Sequence, residues 1–261
     1  MFTSQLLMVF ILGASIGSFL HLVACRLPER RNVVSERSSC PCCKNSIKWF
    51  DLIPIISFFV LKGRCRHCQT HISWRYPLSE AVTGFIFVLI ALSYGPAFLN
   101  NILFFRDIIF CSALIIIFLT DLKDFLIFDA ITIPFTVLAV ALNLFALSNS
   151  RSFYIVILNI LLSMAVGLVF FGLQYFFSKG KWLGAGDIKM GVMLGAMLSA
   201  PELLLTLFLS YIIGALISLI LLALKLKNRK SELPMGVFLS VGALIALLYG
   251  EKIISWYLNI I

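Results

Sequence analysis

Apolar residues run along this chain in long blocks, parted by short polar and charged segments. A block of about 20 such residues, rising 1.5 Å per residue as a helix, matches the roughly 30 Å hydrocarbon core of a bilayer. Eight blocks read as spanning helices, at roughly residues 5–24, 80–99, 103–120, 130–148, 153–177, 186–200, 202–224 and 234–250. The sixth is short and stops at Pro201. Composition agrees with that pattern, because 61% of the 261 residues are apolar, only 13% are charged and the mean hydropathy is +1.04. Soluble domains do not reach such values. The expected fold class is an all-α integral membrane protein with eight transmembrane helices and a long loop, residues 25–79, between the first two.

The first block has no positive charge before Arg26, so it lacks the basic start of a cleaved signal peptide and reads as a retained helix. The tetrad LVAC at 22–25 resembles a lipoprotein cleavage box, but the basic loop behind it is hard to export. We therefore expect no lipid there.

Charge sets the expected orientation. The 25–79 loop holds ten Lys/Arg, and alternating faces from there puts 18 of the 21 cations on its side of the membrane. Only Arg106, Arg151 and Lys252 fall opposite. The positive-inside rule then makes the loop cytoplasmic and turns both termini outward. The net charge of +9 reports topology and affinity for anionic lipid, and it requires no nucleic-acid partner.

Within the loop, CPCC at 40–43 and CRHC at 65–68 place Cys40 and Cys43 against Cys65 and Cys68 across 21 residues. Two C-x-x-C pairs suit a tetrahedral thiolate site for zinc, and neighbouring Lys44, Arg64 and Arg66 favour thiolates. Reduced or redox-active dithiols are the alternative reading. Four sulfurs would close the metal's coordination, so such a zinc would fold the loop and leave hydrolysis to other groups. Cys42 is then spare, and His67 and His71 are unneeded. Between the pairs, WFDLIPIISFFVL at 49–61 is too short to span and is broken by Pro54. It reads as a segment on the membrane surface or under the knuckle, with a substrate ledge as the alternative.

Two carboxylates stand where polar turns meet apolar blocks. Asp121 ends the third block and Asp187, in LGAGDIKM, starts the sixth, both on the expected cytoplasmic face. An ionisable group at membrane depth costs up to about 3 kcal/mol and so turns toward a partner or water. Facing carboxylates point to acid/base hydrolysis. The plainer reading of Asp187 is a helix cap after a glycine turn. Asp124 and Asp129 read as solvated or capping groups, and Asn143, Asn159, Ser163 and Gln174 as interhelical hydrogen-bonding groups. The small residues Gly13, Ala14, Ser15, Gly17 and Ser18 of the first block would let another helix approach closely, and His21 reads as hydrogen-bonded. The three histidines, at 21, 67 and 71, stand beside no nucleophile elbow.

The motifs GSFLH, RLPER, CPCC, WFDLIP, CRHC, RYPLSE, an Asp followed eight residues later by DAIT, GAGDIK and PMGVFL stand in one order. In that order the chain resembles the type IV prepilin peptidase family over residues 13 to about 245. The resemblance implies a membrane aspartic endopeptidase that removes the short basic leader of prepilins or pseudopilins, usually after a glycine. It implies Asp121 and Asp187 as the catalytic pair, Gly184 and Gly186 as the turn, and Cys40, Cys43, Cys65 and Cys68 as zinc ligands. It further implies methylation of the new N-terminus with S-adenosylmethionine, although no glycine-rich nucleotide turn marks a methyl-donor site. Domains would then be 1–24, a first transmembrane helix; 25–79, the zinc loop; and 80–261, the peptidase domain in a bacterial inner membrane. His21 stands where the family commonly has Asn, and Phe128 where Pro is common. The rival readings are a proton- or cation-coupled transporter using the same carboxylates, for which no inverted repeat is found, and a scaffold recruiting a partner through the loop.

Overall fold

The structure, a computed structural model, describes residues 2–33, 36–147, 152–228 and 231–260. Arg151, Arg229 and Lys230, which entered the charge argument, lie outside the described residues. The described residues form helices α1 (Phe2–Arg26), α2 (Ile56–Val60), α3 (Arg75–Tyr94), α4 (Ile102–Asp124), α5 (Asp129–Leu147), α6 (Phe153–Ser178), α7 (Ala185–Met197), α8 (Ala200–Ala223) and α9 (Met235–Leu258). No strand accompanies them among these residues, only isolated bridges. Seven helices are long and apolar enough to cross a membrane: α1, α3, α4, α5, α6, α8 and α9. A long loop lies between the first two of them.

The sequence reading differs at α7. Its 13 residues rise about 20 Å, less than the hydrocarbon thickness. Leu198 and Ser199 then run extended, and α8 starts at Ala200 with Pro201 in its first turn. The predicted sixth block thus combines a short helix, an extended pair and the cap of the next helix. Ser199 Oγ donates to Glu202 Oε2 at 2.8 Å and its N–H to the same oxygen at 2.9 Å, fixing where α8 begins.

The chain packs as two compact units, Met1–Phe104 and Phe105–Ile261. In the first, α1 and α3 run antiparallel at the close range that small residues permit. A Cβ added at Gly13 would sit 2.9 Å from Gly84 Cα, and one at Gly17 would sit 2.8 Å from Thr83 Cβ. Nearer the loop, His21 Nδ1 lies 3.0 Å from Ser79 Oγ and its ring 4.4 Å from that of Tyr76, so His21 is the hydrogen-bonded residue expected.

In the second unit, α6 and α7 are antiparallel, with Gly167 against Gly191 and Ser163 against Gly195. There the backbones touch, because Cβ atoms at Gly191 and Gly195 would collide with Phe171 and with the Ser163 carbonyl. The α5 helix runs parallel to α7, linked to it at one end by Asp129 and Lys189 and at the other by Asn143 and Ala196. The α8 and α9 helices are antiparallel, from Glu202 beside Gly250 to Thr206 and Ser210 beside Gly242. Phe110 and Leu114 of α4 line the same small void as Ala243 and Leu247 of α9. Alternating directions bring the C-termini of α4, α6 and α8 and the N-termini of α5, α7 and α9 to one end of this unit.

Toward the opposite end, Asn143 Nδ2 donates to the Ala196 carbonyl at 2.8 Å and Arg106 Nη1 donates to Asn143 Oδ1 at 3.0 Å. Arg106 also pairs with Asp107 at 2.8 Å. A cation thus stands behind the C-terminus of α7, where the helix dipole favours one. Asn143 and Gln174 do bond between helices, Gln174 accepting from the Tyr211 hydroxyl at 2.7 Å. The Ser163 hydroxyl does not; it donates to Asn159 O one turn back, because Gly195 brings backbone against that side of the helix.

Candidate active site and metal centre

Asp121 lies in the last turns of α4 and is buried. Its Oδ2 accepts the Val237 amide N–H at 3.1 Å. The reason is local to α9: its cap position is Pro234, which has no side-chain oxygen to satisfy the first amides of the helix. Asp121 supplies that oxygen from another helix. Gly236 makes the approach possible, since a Cβ there would stand 2.9 Å from Asp121 Oδ2.

Asp187 is the third residue of α7 and is also buried. Its Oδ2 reaches back to accept the Gly184 N–H at 2.9 Å, so the carboxylate caps its own helix. Each acid therefore sits at a helix N-terminus, where the macrodipole complements negative charge. Ile127 lies between the two. Its Cβ is 3.0 Å from the place of a Cβ on Gly186, and its Cδ1 is 3.2 Å from that of one on Gly236. The glycines beside the two acids, Gly186 and Gly236, thus pack against one residue. Nearby, Lys189 Nζ holds both oxygens of Asp129 at 2.6 and 2.7 Å, tying the start of α5 to α7. Both groups are exposed, so the pair contributes roughly 0–1 kcal/mol and serves mainly as a register pin. Asp124 Oδ2 has no hydrogen-bond partner and stands 4.0 Å from Lys123 Nζ.

Sequence reasoning singled out both acids and offered Asp187 as a helix cap, but it did not find the amide that holds Asp121. The signal for Asp121 was Pro-Met-Gly at 234–236, a helix start without a cap of its own.

In the first unit, Cys40, Cys43, Cys65 and Cys68 bring their sulfurs within 4.8 Å of one another. The two cysteine pairs fold alike, 25 residues apart in register. The Cys40 amide donates to Asn45 O and the Cys65 amide to Thr70 O, both at 2.9 Å. Lys44 N–H returns to Cys40 O and Gln69 N–H to Cys65 O, with Lys44 and Gln69 both left-handed at φ 59 and 58. Bridges Ser39 to Ser46 and Arg64 to His71 close the two knuckles. A tetrahedral ion with sulfur at about 2.3 Å has edges near 3.8 Å, and Cys40 Sγ lies 3.7 Å from Cys68 Sγ. The donor set and its spacing fit such an ion. Bonds from the Thr70 hydroxyl and amide hold the Cys68 thiol down at about 6. Cys43 accepts the Asn45 amide but is pushed up to about 11 by burial and its neighbouring thiols. The four sulfurs stand together with no charge of opposite sign among them, and a divalent cation is the group that would let thiolates share the site. Cys42 is exposed and outside the cluster, as are His67 and His71.

Ahead of the knuckles, the buried Arg26 guanidinium donates to the carbonyls of Asn32, Val33, Glu36 and Arg37 at 2.9–3.3 Å, tying the start of the loop to the end of α1.

Residues 11–94 match the bacterial peptidase A24 N-terminal domain and residues 108–219 match the type IV leader peptidase family. A prepilin leader peptidase/N-methyltransferase of Bacillus subtilis (strain 168) is 33% identical over 98% of both chains. One of Aeromonas hydrophila is 32% identical over 97% of this chain and 93% of its own, and one of Aeromonas salmonicida is 31% identical over 97% and 94%. No solved structure matches this chain.

Proposed function

The chain belongs to the type IV leader peptidase family, and from that premise we propose that Asp121 and Asp187 are the acid and base of its hydrolytic site. The protein is a membrane prepilin peptidase with N-methyltransferase activity, the reading carried by the matched family and by relatives that span nearly its whole length. The relatives bear peptidase names, and nothing in them favours a transporter.

The observation that carries the assignment is that two buried carboxylates stand at one end of the second unit, on either side of Ile127, each fixed by an amide at a helix N-terminus. Two such groups share a proton. The ionised one takes a proton from water, whose oxygen attacks the scissile carbonyl carbon as the protonated one donates to the carbonyl oxygen. On collapse the C–N bond breaks and the amine leaves with a proton returned from the pair. Each transfer is worth about 10² to 10⁴ in rate, and fixed placement of water and peptide adds more.

In this proposal the catalytic end and the 25–79 loop face the cytoplasm, where the basic leader of a prepilin or pseudopilin stays while its apolar segment enters the bilayer. Residues 80–261 form the peptidase domain. Cys40, Cys43, Cys65 and Cys68 hold one zinc ion, which supplies folding energy to the loop. S-adenosylmethionine is the methyl donor, and no residue is assigned to it.

Incubation of the purified protein with a prepilin tests the pair. Asp121→Asn and Asp187→Asn should each abolish cleavage with zinc content unchanged. Cleavage that survives either substitution removes that residue from the mechanism.

A further inference from the structure

The turn Trp49–Leu52 and helix α2 leave large apolar side chains exposed. Trp49 is 79% exposed, Val60 68% and Phe59 59%. A ridge of this kind marks a binding surface. Two contacts fix its level. The rings of Phe58 and Phe59 lie 4.5 and 6.0 Å from that of Trp74, the cap residue of α3. The amide of Ile55, which caps α2, donates to Glu80 Oε2 at 2.7 Å, in the second turn of α3. The α3 helix is a membrane span, and its outward stripe runs Trp74, Leu78, Val82, Phe85 and Leu89 at helical spacing. The ridge is therefore level with the first turns of a spanning helix and continues its lipid-facing stripe. Cations border it: Lys48 Nζ and the Arg66 guanidinium lie 5.7 and 5.3 Å from the Phe50 ring centroid. Arg66 also pairs with Asp51 at 2.6 Å and holds that carboxyl below the usual range.

We propose that residues 49–60 are an interfacial anchor that binds an anionic bilayer surface. Trp49, Phe59 and Val60 insert beneath the headgroups of the leaflet where α3 begins, and Lys48 and Arg66 meet anionic lipid phosphates. Aromatic side chains with basic neighbours favour this depth, where the ring body is apolar and the surroundings are wet. The anchor holds the cysteine loop flat against the membrane, whichever residues perform hydrolysis.

The test uses the full-length zinc-loaded protein in nanodiscs of phosphatidylcholine with phosphatidylglycerol, some lipids brominated high on the acyl chain. The Trp49 signal is the emission lost in Trp49→Phe, a variant whose unchanged zinc content shows the loop folded. Brominated lipid should remove at least about half of that signal, aqueous iodide little, and omission of phosphatidylglycerol or Lys48→Gln should weaken the lipid effect. A Trp49 signal quenched by iodide and untouched by brominated lipid overturns the proposal. So does protection that arises only when a prepilin is added, which would make the ridge a substrate ledge.

Discussion

The carboxylate of Asp121 accepts the amide of Val237 at 3.1 Å, across 116 positions of sequence. One helix thereby caps the start of another, and the bond that satisfies α9 also immobilises an acid. Geometry and stability are tied at the same atom, so perturbations on the α9 side of that bond should reach catalysis.

Gly236→Ala tests that link directly. The added methyl would stand 2.9 Å from Asp121 Oδ2 and 3.2 Å from Ile127 Cδ1, forcing the carboxylate off its place. We expect kcat to fall about 10- to 100-fold with KM little changed, since misplacement by a fraction of an ångström acts on the reacting geometry. Steady-state cleavage of a prepilin measures both constants, and unchanged kcat would show that Asp121 tolerates the shift.

Gly195→Ala acts elsewhere, on the packing of α7. Its Cβ would come within 2.6 Å of the Ser163 carbonyl carbon and 2.7 Å of Met164 Cα, backbone atoms that cannot rotate aside. Separation of α6 from α7 should cost about 1–3 kcal/mol, the usual range for overpacking. A lowered thermal midpoint in detergent would report it, together with reduced cleavage per folded molecule because α7 carries Asp187 of the proposed pair.

Asn143→Leu removes the donor to Ala196 O and the acceptor for Arg106 at once. Leaving buried polar groups without partners costs about 1–3 kcal/mol each. Detergent unfolding should show the loss, and Asn143→Leu should be more destabilising than Asn159→Leu.

Removing the proposed zinc should affect the loop first. Chelation, or Cys40→Ser, is expected to lower methyl transfer at least as much as cleavage, measured with a labelled methyl donor on one prepilin substrate. Full methylation by Cys40→Ser would defeat this. Because metal binding needs thiolates, bound metal should persist near neutral pH and be lost on acidification, as protons compete for the sulfurs. Metal content after dialysis at falling pH gives the sign.

The long apolar blocks were legible because a bilayer demands length and apolarity from every span, and both are plain in sequence. The knuckles were legible through cysteine spacing alone. The sixth block was legibly short, ending at Pro201, but the extended pair Leu198 and Ser199 that parts α7 from α8 was not, because it rests on the cap at Ser199 and Glu202. Nor was the hold on Asp121 legible, since its partner is a main-chain amide, and an amide leaves no mark on residue type. Arg26, which read as topological charge, proves to be a buried clamp on four carbonyls for the same reason.

The twinned knuckles carry a last implication. Each half brings two sulfurs, and neither alone can complete a four-sulfur shell. With the proposed zinc, closure is all-or-none, so the share of molecules with an ordered loop should follow the supply of free metal around the nascent chain, making metal nutrition a determinant of how much competent enzyme a cell holds.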